Sequence, residues 1–227
     1  LLQVADSHGS RITLLALHPS DGVDAFQPAA SQHRIDRLAL TNPEVAQSTP
    51  TFVVESGEPR RGYDAWADVQ RDILNAELAR QNVSQLDVEV VKTERGYKAS
   101  VIHADLIVSN ETQLTLMVME HGKSMPDGVV NPGGDHRDRV VVGLAECALD
   151  NHTITTSIGL FDATVEGTCE GSFSVEFDAM DSWSVLLVHE PTAVGLVAGE
   201  DAQSHGAVEL AFRDRGMQVS ESNGFGT

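Results

Sequence analysis

Ser48-Thr49-Pro50-Thr51-Phe52-Val53-Val54 is a threonine-proline turn that runs straight into an apolar stretch. Proline has no N–H to give to a strand ladder, so Pro50 belongs at the opening of a strand expected over 51–55. Glu55-Ser56-Gly57-Glu58-Pro59 reads as the tight turn that follows. From Tyr63 to Arg80, apolar residues recur at helical spacing (Trp66, Val69, Ile73, Leu74, Leu78), which predicts a helix capped by Asp64, with Asp68 near the positive end of its dipole.

Working outward, Leu1-Leu2-Gln3-Val4-Ala5-Asp6-Ser7-His8-Gly9 reads as the end of a helix that turns through glycine into a strand over 11–17, and a further helix is expected over 29–40. Strand alternating with helix argues for an α/β layer. The threonine-proline turn, strand, tight turn and terminal helix, with the stretch from Leu1 to Leu17 before them, resemble the thioredoxin-like superfamily. The resemblance implies a cis Pro50, with Thr49 and Pro50 facing the substrate, and a redox Cys-x-x-Cys roughly ten residues or fewer before Leu1, outside this chain. On this basis the 227 residues hold no catalytic residue, cofactor or metal of their own.

After Gln85 the pattern changes to short alternating runs, with strands expected over 86–91, 97–108, 113–120, 137–148, 153–160, 172–177, 183–189, 193–198 and 207–212. Short strands divided by Gly, Asn, Asp and Pro indicate a β-sandwich. The expected fold class is therefore an α/β thioredoxin-like domain (1–83) plus an all-β sandwich domain (84–215), followed by a polar tail (216–227). The runs 114–120, 136–142 and 183–189 resemble the sandwiches found behind thioredoxin-like domains in secreted and lipoprotein members of that superfamily.

Lys+Arg 15 against Asp+Glu 34 gives a formal charge of -19, which repels nucleic acid and anionic lipid. No run reaches the roughly 18 apolar residues of a membrane span, so no direct insertion is expected and any anchor lies outside this range. Cys147 and Cys169 match no zinc or Cys-x-x-Cys spacing; they either bond to each other or sit as buried thiols. Three sequons, at Asn82, Asn110 and Asn151, fall at expected element boundaries where a glycan fits, and they point to an extracytoplasmic setting in which the disulfide is favoured.

Nine histidines invite a metal site, but no pair has helical i, i+3 or i, i+4 spacing; only His103, His121, His136 and His189 offer a convergence in the sandwich, near Glu120 or Glu190. The loop 122–135 offers Met125, Val129 and Val130 to a partner, or simply crosses between sheets. Two functions follow: an extracytoplasmic relative of thiol-disulfide oxidoreductases acting on a thiol-containing protein, or a non-enzymatic surface or assembly subunit that binds a protein partner.

Overall fold

A computed structural model describes residues 12–80, 82–107, 109–129, 134–178 and 181–213. In chain order its elements are α1 (Ala29–Ala39), β1 (Thr51–Phe52), β2 (Arg60–Arg61), a 3-10 turn at Tyr63–Ala65, α2 (Trp66–Ala79), β3 (Gln85–Lys92), β4 (Tyr97–Asp105), β5 (Thr112–Glu120), β6 (Lys123–Ser124) and β7 (His136–Arg137). They continue with β8 (Val140–Ala148), β9 (Thr153–Ile158), β10 (Asp162–Thr164), α3 (Cys169–Ser172), β11 (Ser174–Phe177), β12 (Ser182–Pro191), α4 (Ala193–Ala198) and β13 (Gly206–Arg213).

Two antiparallel sheets face each other, one in the order β10-β11-β4-β3 and the other β13-β12-β5-β8-β9. Because side chains alternate across a strand, β5 sends Leu114, Leu116 and Val118 between the sheets and Met117 and Met119 to the opposite face. β12 does the same, with Trp183, Val185 and Leu187 inward and Leu186 and Val188 outward. Both strands are buried along nearly their whole length. The outer face is covered by α1, whose Ala30 packs with Met117, Met119, Val141 and Leu144, joined by Leu15 and Leu17.

This arrangement overturns the expected α/β thioredoxin-like domain. An α/β layer needs parallel strands joined by crossover helices. Among the described residues every paired strand is antiparallel, and the segment 11–17 contributes only an isolated parallel bridge from Ala16 to Val140. The strand expected over 51–55 shrinks to Thr51–Phe52, which pairs with Arg60–Arg61 in a two-stranded ribbon of its own. Instead of flanking such a layer, α1 lies on the five-stranded sheet. The stretch 1–11 and the tail 216–227 lie outside the described residues.

Two local expectations also change. Asp64 sits in the 3-10 turn and caps nothing; Ala65 holds the N-cap position of α2. The run 193–198 is a helix rather than a strand: Thr192 Oγ1 accepts the Gly195 N–H at 3.0 Å, and Gly199 ends the helix at φ 93°, a conformation suited to glycine.

Cys147 on β8 and Cys169 at the start of α3 are disulfide-bonded, with Cα atoms 6.0 Å apart and a sequence separation of 22. Both are fully buried in the core between the sheets. Closing a loop of this length contributes about 3 kcal/mol in the chain-entropy description. The Cys147→Ala, Cys169→Ala double variant is accordingly expected to unfold in urea with about 3 kcal/mol less stability while keeping its far-ultraviolet circular dichroism; an unchanged midpoint would show that the bridge adds nothing.

Candidate functional site

The Thr49–Pro50 peptide bond is cis, and it sits at the exposed end of the β1–β2 ribbon. Pro50 C=O accepts the Gly62 N–H at 2.9 Å, and Thr51 Oγ1 donates to Ser48 C=O, which fixes the turn. The Phe52 ring meets Trp66 edge-on at 6.0 Å, holding the ribbon on α2. Among the described residues β1 pairs with β2 alone, its other edge carries no strand, and Thr49 makes no hydrogen bond through its backbone or side chain.

A cleft of about 250 Å³ opens between the turn 54–58, Arg60 of β2 and α2. Glu55, Glu58, Arg60, Asp72, Asn75 and Gln203 contribute its polar lining. Arg60 binds Asp72 through two bonds of 2.7 and 3.2 Å and reaches Glu58 at 3.1 Å, so ribbon and helix are tied by charge. Glu55 pairs with Arg80 and accepts from Ser204 N–H and Oγ at 3.1 and 2.7 Å, joining the turn to the loop before β13. The cleft is open, and Val54, Ala76 and Ala79 line it alongside the polar groups.

A second polar group lies under α1. Arg34 makes two bonds to Glu190, 2.6 and 3.0 Å; Thr115 Oγ1 donates to the same carboxylate at 2.6 Å, and Arg37 stands 3.6 Å away while donating to Pro191 C=O. Burial by itself would raise the Glu190 carboxyl, but the Arg34 and Arg37 charges outweigh it and hold it at about 2. His33 reaches Glu146 at 3.0 Å; burial opposes that carboxylate too, and the His33 bond wins, leaving it lowered. The sequence holds a signal for this clamp: Arg34 and Arg37 share a helical stripe with Ala30, so the face that meets the sheet carries two charges.

The other residues singled out from sequence are dispersed. Asn82, Asn110 and Asn151 are all exposed and lie outside strands and helices. His121 bonds Ser184 Oγ at 2.8 Å, His136 lies 3.3 Å from Ser124 Oγ, His103 is exposed on β4, and His189 is buried beside Ser84. The four do not converge, and Glu120 is engaged by Lys123. Loop 122–135 begins as the β6–β7 ribbon, with Met125 N–H bonded to Asp135 C=O at 2.9 Å; Val130 falls outside the described residues. No helix among the described residues is long and apolar enough to cross a membrane.

Among solved structures, the chain is similar to HBP35 of Porphyromonas gingivalis, with a TM-score of 0.51 and 13% sequence identity over 87% of this chain and 62% of that one. A likeness at this identity speaks to fold alone, and this chain spans less than two thirds of that structure's length. No protein-family model and no curated protein matches the chain.

Removing one partner from a buried ion cluster leaves the others without a counter-charge, at a cost of about 3 kcal/mol or more. Glu190→Gln is therefore expected to lower stability to urea by that amount. Because the Glu190 carboxyl is lowered in the folded chain, its contribution is complete above its ordinary value of 4.5 and is lost as pH falls toward about 2. Stability curves of the two proteins should converge over that interval; parallel curves would contradict the assignment.

Proposed function

We propose that this chain is a non-enzymatic, extracytoplasmic interaction module that receives an extended segment of a partner protein along the open edge of β1. The observation that carries this function is the edge itself: β1 is paired on one side only, and Thr49 beside it has its N–H and C=O free of hydrogen bonds among the described residues. An unpaired edge is a template for an added strand, in which main-chain bonds supply affinity and neighbouring pockets read side chains. The cleft between the turn 54–58, Arg60 of β2 and α2 is a recess on the same ribbon. Thr49 and Pro50 keep the partner-facing role that the sequence suggested, without the enzyme chemistry.

The extracytoplasmic setting is supported by the buried Cys147–Cys169 disulfide, a bond that persists where thiols are not kept reduced. The exposed Asn82, Asn110 and Asn151 suit glycan attachment in the same setting. A net charge of -19 favours partner segments that carry lysine or arginine. Both cysteines are locked in the core, so thiol-disulfide exchange would have to draw its thiols from outside these 227 residues.

Selection from a displayed library of random extended peptides tests this directly. Enriched peptides should bind the native protein, lose at least tenfold in affinity when alternate backbone amides are N-methylated, and lose as much against Thr49→Pro, with the thermal midpoint unchanged. Failure to enrich any sequence, or equal affinity for Thr49→Pro, contradicts strand addition at this edge.

A further inference from the structure

Three chain segments meet at one buried point: Ser84 ahead of β3, His189 near the end of β12 and His205 just before β13. Ser84 Oγ lies 2.7 Å from His189 Nδ1 and accepts the Ile107 N–H at 3.0 Å. The Ser84 hydroxyl can donate to Nδ1 or accept from it, so either neutral tautomer of His189 satisfies this bond, whereas the charged ring carries a proton on both nitrogens. Among the described residues His189 Nε2 is buried without a hydrogen-bond partner, and so is His205 Nε2; the two rings stand 4.9 Å apart at 57°. Around them, Ser84 N–H donates to His205 C=O and His205 N–H to His189 C=O, each at 2.8 Å. The contact is as close as glycine permits, since a Cβ on Gly206 would stand 2.6 Å from Ser84 C=O.

One residue earlier, Ser204 binds Glu55, which also holds Arg80. Loop 199–205 is thus fastened at His205 to the sandwich and at Ser204 to the turn after β1. We infer that His189 and His205 form an acid-sensitive latch that keeps this loop against Ser84 and the Glu55 turn and releases it when either imidazole gains a proton. A proton added to either ring would place a charge in a buried contact against a second imidazole, with no acceptor at either Nε2.

The charged groups around the pair do not offset this. Glu190 follows His189 on β12, but its carboxylate is taken by Arg34, Arg37 and Thr115. Glu200 and Asp201 favour a charged His205, but they belong to the loop that would leave. From the β3–β4 side, Asp87 and His103 stand opposite each other and Asp105 stands opposite Gln85, near the strand ends. Burial, with the His205 charge, pushes His189 down to about 4 against the pull of Glu190, and burial lowers His205 as well. The closed latch therefore binds fewer protons than the open one between about 4 and the ordinary 6.5, so opening grows as pH falls through that window. The growth is up to about tenfold per pH unit for each imidazole.

Amide hydrogen exchange of the native chain, corrected for intrinsic rates, tests the latch between pH 7 and pH 5. Opening of 199–205 and of the Glu55 turn should rise at least tenfold, with 114–118 in the sandwich core unchanged. The rise should vanish in His189→Asn, His205→Asn. In the unaltered protein, the imidazole signals of both residues should titrate below 6.5, together with the backbone signals of 199–205. Protection that does not change with pH, a loss that includes 114–118, the same rise in the double variant, or imidazoles that titrate near 6.5 without any loop change would each overturn the inference. None of these readouts depends on peptide binding at β1.

Discussion

A sheet whose two faces are both apolar must be covered twice. In β5 and β12 the inward set of Leu, Val and Trp meets the four-stranded sheet, while the outward Met and Leu need a second cover, and α1 provides it. Yet α1 is short and only mildly apolar, with Ala30 and Ile35 as its buried hydrophobic residues. Its hold on the sheet is electrostatic: Arg34 and Arg37 reach through the helix–sheet contact to one buried carboxylate, Glu190, which Thr115 also binds. Such a cluster gives less net stability than apolar packing of equal size, but it is strict about geometry, because a displaced helix would leave three charges buried and unpaired.

That constraint fixes where the chain leaves α1. With α1 seated on the sheet, the chain proceeds to a ribbon and α2 that touch the sandwich through Glu55, Arg80 and Ser204. This outlying part carries the unpaired edge of β1 and the cleft between the turn 54–58 and α2, a sensible place for a surface whose occupant comes and goes. The His189–His205 contact stands behind it, where loop, linker and sheet converge. Stable core and yielding edge are thus different regions of one chain.

The sandwich was legible because its strands obey a period of two and end at turn residues; the expected run 113–120 differs from the observed β5 by one residue. The first segment misled because its elements, α1 and α2, are correctly placed in sequence while their partners are not local. Helical spacing at Trp66, Val69 and Ile73 says nothing about which sheet lies beneath. The residues 193–198 were misread because Ala-Val-Gly-Leu-Val-Ala suits either element in isolation, and Thr192 and Gly199 decide it through capping. Of the site, Thr49 and Pro50 were visible as a turn, and the two cysteines as a pair with one partner each to choose. Ser84 was not, and His189 and Glu190 were visible only as metal candidates, because their actual partners include residues distant in sequence, as with Ser84 and His189 at a separation of 105 and Arg34 and Glu190 at 156.

α1 belongs to the sandwich's cooperative unit, held there by the Glu190 cluster. Native-state hydrogen exchange in low urea addresses it most directly. Amides of 29–39 should exchange with the same free energy and the same urea dependence as those of 112–120 and 182–191, because each would open only by global unfolding. Exchange of 29–39 at a markedly lower free energy, while the two strands stay protected, would mean that the helix rests on the sheet without being part of its fold.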